Sequence, residues 1–390
     1  KCIKKSIITE KEFLKIDKLI KNLIEEEVDY VEEQANPDPD SATEHLFSDS
    51  TNFDKNCSIE PKSTKDKIVM VDSINHALSE ELAFNDKMLI YGEDVAGDKG
   101  GVFTATRGLT KQFGDERVFN SPLAESAIVG TAIGLSIVGF KPVVEIQFGD
   151  YIWPAMMQIR NEVATMRYRS AGNWSCPLVI RVPVGGYIHG SLYHSQSIDG
   201  YFAHTPGLKI AYPSNAADAK GLLKYACRCD DPVIFMEHKG IYRQGFASSL
   251  EPDENYLLPF GKARVVQEGE DLTIVTWGAI VQKSVEAARN TKKSVEIIDI
   301  RTLNPLDTET ILNSIKKTNR VIVAHEDHLT SGFGSEIAAQ ISDLGFEFLD
   351  APVKRIASKD VHVAYSPNLE NEILVQTSWI EKEIEEIISY

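Results

Sequence analysis

The spacing of apolar positions changes character along the chain. After a Thr9-Glu10-Lys11-Glu12 capping box, Phe13, Ile16, Ile20, Leu23 and Ile24 recur at helical spacing, and Val28 and Val31 extend the stripe. Asn36-Pro37-Asp38-Pro39-Asp40 stops that helix, and the polar run to Ser63 reads as a linker. A single helix cannot bury such a stripe by itself, so it must dock on something, expected to be sequence upstream of this chain. From about residue 64, short apolar strands alternate with helices. Strands are expected at Met88–Tyr91, Pro142–Ile146, Leu178–Val182, Leu208–Ala211 and Val233–Met236, with helices at Ser73–Phe84, Pro122–Val138, Pro154–Arg169 and Ala216–Arg228. Strands that are apolar at nearly every position are buried on both faces, which means a parallel sheet covered by helices. After the acidic, proline-containing Pro252–Pro259, which reads as an interdomain linker, the pattern repeats. Strands are expected at Leu272–Trp277, Val295–Ile300, Arg320–Ala324 and Phe346–Leu349, with helices at Val281–Arg289 and Ser335–Ser342. The fold class is therefore α/β: two doubly wound, mostly parallel-sheet domains at residues 63–250 and 251–390, behind a helical tail and linker at 1–62.

Composition narrows the function classes. The chain has 390 residues, 43% of them hydrophobic, which is enough for both domains. No apolar run approaches the ~20 residues of a membrane span. A net charge of −17 argues against nucleic acid or an anionic membrane as partner, since phosphates call for a basic face. Cys2, Cys57, Cys176, Cys227 and Cys229 form no CxxC pair and read as reduced thiols of an intracellular protein, cytoplasmic in a bacterium or in the mitochondrial matrix of a eukaryote. The start, Lys1-Cys2-Ile3-Lys4-Lys5, has neither Met nor a signal-peptide pattern and reads as a fragment or processed product. GxGxxG, GxxxxGK[ST], HExxH and paired CxxC runs do not occur. A doubly wound fold without a phosphate loop has lost ligand binding or shares its ligand with another subunit.

Candidate chemistry gathers where strands end, the usual ligand position in such sheets. Arg117–Asn120 reads as a short strand turning into a helix, with Ser121 as N-cap and Pro122 at the first helical position. Glu125 then falls in or near the first turn. Taken alone it is a carboxylate at the positive end of a helix, worth about 0.3–1 kcal/mol. Ser126, Gly130 and Gly134 share one helical face, open to close approach by another backbone or a flat ligand. The glycine-rich loop Gly185–Ser197 follows a strand and carries His189 and His194, with His204 soon after. Loop histidines suit proton transfer, although each taken singly reads equally well as structural.

Three runs change the balance: Phe119–Glu125, Glu145-Ile146-Gln147-Phe148-Gly149-Asp150-Tyr151-Ile152-Trp153-Pro154-Ala155, and His189–Ser197. Together with Gly92–Val95, Tyr168–Ser170, Ala203–Lys209, Ala219–Leu223, Ile298–Thr302 and Gly332–Glu336, they resemble the β subunit of thiamine-diphosphate-dependent 2-oxo acid dehydrogenase E1 components, most nearly the branched-chain type. Residues 1 to about 50 resemble the end of an E1 α subunit, so the chain reads as the C-terminal part of an α–β fusion.

The resemblance implies a transketolase-like pyrimidine-binding domain followed by a transketolase C-terminal-like domain. It implies that Glu125 hydrogen-bonds the cofactor's aminopyrimidine and promotes loss of the thiazolium proton, as a buried carboxyl with a raised pKa. Gln147 and Tyr151 match positions lining the aminopyrimidine pocket; strand-end and core packing is their plainer role. His194 matches the active-site histidine, which stabilises or protonates the alkoxide formed on the substrate carbonyl, a role worth about 10²–10⁴-fold. His204 either shares in this or simply orders the loop. The diphosphate and Mg²⁺ are implied to sit on a Gly-Asp-Gly motif of the α part. Gly97-Asp98-Lys99 and Gly149-Asp150-Tyr151 both fail that motif, so no metal ligand is expected here. Cys227–Asp231 departs from the family's usual potassium-site residues, so no potassium is expected either. The implied activity is oxidative decarboxylation of branched-chain 2-oxo acids such as 2-oxoisovalerate, with acyl transfer to lipoyl groups of the E2 acyltransferase, in an α2β2-type assembly. Pyruvate as substrate, or a non-catalytic assembly and E2-docking role, are the alternatives.

Overall fold

A computed structural model describes residues 1–49, 57–62 and 66–390; part of the expected linker, residues 50–56 and 63, lies outside these. The chain divides into two units, Lys1–Glu44 and His45–Tyr390. The first holds helix α1 (Glu10–Glu32), whose capping box forms as expected. Thr9 Oγ1 accepts from the Glu12 N–H at 3.2 Å, and the Glu12 carboxylate accepts from the Thr9 N–H at 2.8 Å. Its apolar stripe, from Phe13 to Val31, is solvent-exposed. Among the described residues no helix is long and apolar enough to cross a membrane.

In the second unit, β1 (Lys67–Ile68), α2 (Met70–Phe84), β2 (Met88–Gly92), α3 (Leu109–Phe113), β3 (Val118–Asn120), α4 (Glu125–Ile137) and β4 (Lys141–Glu145) come first. Next are α5 (Met166–Arg169), β5 (Val179–Val184), α6 (Asp199–Ala203), β6 (Lys209–Ala211), α7 (Ala216–Arg228), β7 (Val233–His238) and β8 (Ser249–Leu250). The later half comprises β9 (Arg264–Gln267), β10 (Leu272–Thr276), α8 (Ile280–Thr291), β11 (Val295–Asp299), β12 (Thr302–Asn304), α9 (Thr308–Thr318) and β13 (Val321–His328). It ends with α10 (Phe333–Leu344), β14 (Lys354–Ser358), α11 (Pro367–Ile373) and α12 (Thr377–Ile388).

These build a seven-stranded sheet, β12-β6-β7-β5-β4-β2-β3, and a five-stranded sheet, β14-β13-β10-β11-β9. Both are parallel except for one edge strand each, β12 and β9. β2, β4, β5 and β7 are buried at every position, as are β10 and β11, which is why they read as near-continuous apolar runs. β12, from the later half, pairs with β6 and so joins the two halves through one sheet.

Several expectations need correction. Ser121 is not an N-cap and Pro122 is not helical. The Ser121 N–H donates to Gly92 O at 2.8 Å, continuing the β3 pairing, and the helix begins only at Glu125 after an uncapped Ala124. The expected helix from Pro154 is a broken run: 3₁₀ turns at Gly149–Tyr151 and Trp153–Ala155, a π segment at Gln158–Val163, then α5. Phe346–Leu349 is not a strand. Gly345 closes α10 and Phe346–Phe348 is a 3₁₀ turn with Phe346 exposed, while the sheet is completed by β14. Pro252–Pro259, expected as an interdomain linker, is packed down rather than extended into solvent: Tyr256, Leu257 and Leu258 are buried and Leu258 N–H bonds Gly221 O.

Candidate active site

The carboxyl ends of β2, β4 and β5, and the start of α4 beyond β3, bring the candidate residues together. Glu93 directly follows β2, Glu125 opens α4, and Gln147 and Tyr151 follow β4. His194 lies in the long loop between β5 and α6. Beneath them Arg181 is fully buried and bridges two strands, donating to Glu145 at 2.7 Å and to Glu237 at 2.7 and 2.8 Å. Burial alone would disfavour its charge, but the two carboxylates more than offset this and hold the guanidinium protonated.

His194 has both ring nitrogens engaged. Nδ1 lies 3.1 Å from the Gly190 carbonyl and Nε2 lies 2.7 Å from Tyr151 Oη. A carbonyl only accepts, so Nδ1 carries a hydrogen; in the neutral ring Nε2 then accepts from the Tyr151 hydroxyl. Phe148 packs edge-on against the imidazole, with centroids 4.6 Å apart. Burial, with the charges of Asp150, Glu93 and Glu125, pushes the Tyr151 phenol up, so it remains a hydrogen donor. Gln147 Nε2 donates to Asp94 Oδ2 at 3.2 Å, at the end of β2, and makes no direct bond to His194.

Glu125 is only half-buried, contrary to the expectation of a buried carboxyl, because α4 starts at this residue and leaves it at the helix end. The buried acid is its neighbour. Glu93 is 8% exposed, and its carboxyl is pushed up by burial first, then by the charges of Glu125 and Asp94. Its Oε1 has no hydrogen-bond partner among the described residues. Sequence reasoning met Glu93 only within a motif; an acid immediately after a buried strand was the available signal. Lys239, just after β7, was also missed. It donates to the Gly185 carbonyl at 2.5 Å, and burial lowers its pKa to about 8 against the opposing pull of Asp150, Glu326 and Glu370.

The loop holding His194 has an unusual backbone. Tyr187, His189 and Ser191 adopt φ of +61°, +57° and +62°, a left-handed region costing roughly 1–2 kcal/mol for a residue with a Cβ. Gly185 has φ +85°, and a Cβ there would lie 2.2 Å from the His238 ring, so only glycine serves. His204 is apart from this cluster: it is exposed and lines a cleft of about 920 Å³ with His328 and His362 that none of Glu125, Gln147, Tyr151 or His194 enters.

Residues 66–244 match the family described as transketolase, pyrimidine binding domain, and residues 261–380 match transketolase, C-terminal domain. The chain is 46% identical over 324 residues to the 2-oxoisovalerate dehydrogenase subunit beta of Bacillus subtilis, covering 82% of this chain and 98% of that one. It is 45% identical over 303 residues to the pyruvate dehydrogenase E1 component subunit beta of the same organism, covering 77% and 92%. A solved structure, a split-gene transketolase described as an inactive β4 tetramer, superposes with a TM-score of 0.66 at 22% identity, over 83% of this chain and 99% of that one. At that identity the likeness is one of fold.

Proposed function

This chain belongs to the E1 β-subunit family of 2-oxo acid dehydrogenases, and we propose that it supplies the pyrimidine-side half of a thiamine-diphosphate site that decarboxylates branched-chain 2-oxo acids. The observation that carries this reading is the Tyr151–His194 hydrogen bond standing beside the Glu93–Glu125 carboxylate pair. The residues fit a heteroaromatic ring with donors and acceptors. A buried Glu93 oxygen with no partner among the described residues, a partly exposed Glu125 carboxyl and the Gln147 amide, which reaches the Glu93–Asp94 segment, stand at neighbouring strand ends. Glu125, Gln147 and Tyr151 would hold the aminopyrimidine. Bound there, thiamine diphosphate would supply a carbon nucleophile for the substrate carbonyl. Glu125 would face the ring side as a hydrogen-bonding carboxyl, and its charge adds to burial in pushing the Glu93 carboxyl up. His194 Nε2, oriented by Tyr151 and by the Gly190 carbonyl, holds or moves a proton at the substrate's carbonyl oxygen.

The Mg²⁺ and diphosphate half is assigned to an E1 α part, as a separate subunit or in the same polypeptide, in an α2β2-type assembly that passes acyl groups to E2 lipoyl domains. Support for such a partner is the uncovered apolar surface around α4: Leu123, Val138, Trp153 and Met157 are exposed, and α4 packs against the turn carrying Trp153 and the π segment that begins just after Met157. The domain boundary is assigned at 250/251, with β12 lent back to the first sheet. Bacterial relatives favour the cytoplasm.

Identity to the two kinds of relative is nearly equal, so the substrate assignment rests on the His189–His194 and Ile146–Tyr151 runs. Turnover of 2-oxoisovalerate and pyruvate by this chain assembled with an E1 α subunit decides it. We expect kcat/KM to favour the branched acid by at least about tenfold, the range a few methylenes can command. The reverse ratio would reassign the chain to pyruvate, and no turnover of either would leave the assembly role.

A further inference from the structure

The loop that carries His194 is held from the other half of the molecule. Glu326, near the end of β13, accepts the Gly186 N–H through Oε1 at 2.6 Å and pairs through Oε2 with His238 Nε2 at 2.6 Å. Glu370, on α11, accepts the His189 N–H through Oε1 at 3.2 Å and meets His189 Nδ1 through Oε2 at 2.6 Å. Glu370 is 1% exposed. The fit is close: a Cβ at Gly186 would lie 2.4 Å from Leu374 Cδ1, and Tyr187 Oη donates to Val375 O at 2.8 Å.

This grip falls where the backbone needs it. His189 and Ser191, on either side of Gly190, are in the left-handed region, which persists only where surroundings over-determine it. The Gly190 carbonyl is the group that orients His194 Nδ1. A carboxylate that takes both the backbone N–H and the imidazole of His189 thus fixes the residue next to the carbonyl on which His194 hangs. We propose that Glu370 is a positioning residue for His194: the C-terminal sheet domain sets the direction of the imidazole through the His189–Gly190 backbone, without touching the reacting atoms. This rests on His194 being the proton-handling group.

Glu370→Ala, Glu370→Gln and, as a benchmark, His194→Ala are compared in the chain assembled with its E1 α subunit. Two readouts are taken, steady-state turnover of the 2-oxo acid and amide hydrogen exchange. For Glu370→Ala, kcat falls about 10- to 100-fold, the span of a lost hydrogen bond to a charged acceptor, with KM nearly unchanged. Exchange of the 186–194 segment accelerates by a similar factor, while β5 keeps its protection. Glu370→Gln keeps an acceptor for the His189 N–H and recovers most of both. Wild-type turnover and exchange in Glu370→Ala overturn the proposal, as does a loss accompanied by equal loss of protection in β5. Should Glu370→Ala not fold, the glutamine variant decides, a smaller acceleration confined to the loop being expected and none overturning it. If His194→Ala keeps full turnover, the reading of His194 fails instead, and the exchange data still report whether Glu370 holds the loop.

Discussion

Two histidines near strand ends, one in each sheet domain, have opposite fates. His194 follows β5 in a long irregular loop, is partly exposed, and has both nitrogens bonded. His325 lies within β13, is fully buried, stacks flat on Trp277 at 5.2 Å, and has neither nitrogen partnered among the described residues. The sheets differ in the same sense. After β4 and β5 the chain runs through residues 146–165 and 185–198 before regular helix resumes, and those stretches carry Gln147, Tyr151 and His194. After β10 and β13 only residues 277–279 and 329–332 intervene. Short connections leave strand-end groups packed inside, where they brace rather than react. Doubly wound topology offers a ligand position at every such edge; long irregular connections decide which edge is used.

The strongest test of this contrast removes one acid from each sheet domain. Glu125→Ala, in the chain assembled with an E1 α subunit, is expected to lower turnover about 10²–10⁴-fold. Asp360→Ala serves as its control. Asp360 is exposed and only accepts from Thr330 on the loop after β13, so turnover should stay within about twofold. Similar losses in both would erase the distinction between a reacting and a bracing domain.

His325 gives a test of middle size. Burial first, helped by Arg355 and His328 and opposed by Asp327, lowers its pKa to about 4. Between the ordinary histidine value near 6.5 and 4, the unfolded chain takes up a proton that the folded chain refuses. Stability therefore falls as pH drops through that window, by about 2–3 kcal/mol at its foot. His325→Leu should flatten this acid limb in denaturant titrations between pH 7 and 4, while leaving the pH profile of turnover in place. An unchanged limb would show that His325 titrates normally.

The sequence announces elements whose burial is uniform. The mostly apolar strands β2, β4, β5, β7, β10 and β11, interrupted by a few polar positions such as Glu145 and Arg181, were legible because a sheet covered on both faces leaves no alternation to confuse. The pieces it obscured are those fixed by partners far along the chain. Ser121 reads as a cap, but pairing with Gly92 keeps it extended. Phe346–Leu349 has strand-like composition, yet it turns after α10, where the Asn319 amide donates to the Phe348 carbonyl at 2.8 Å. The candidate site was legible through the Glu125, Gln147, Tyr151 and His194 motifs. What lay outside local pattern was the company they keep: Glu93 beside Glu125, and Glu370 reaching the loop from 181 positions away.

The smallest effect concerns the face of α4, where the first domain again differs from the second. α8 packs on α12 and the second sheet, burying its inner face, whereas Gly134 on α4 is exposed, with nothing within 4 Å of where a Cβ would stand. A helix-interior glycine without a neighbour is a net cost, so Gly134→Ala should stabilise this chain alone by about 0.5–1 kcal/mol in thermal or denaturant unfolding. If the same face receives another backbone in the assembled enzyme, the added methyl must weaken association with the E1 α subunit, read as a higher dissociation constant by sedimentation. The two signs oppose each other, so they separate a face kept bare for a partner from one left bare by chance. A variant that is more stable and assembles as well as before would identify Gly134 as an unused position and move the partner surface elsewhere.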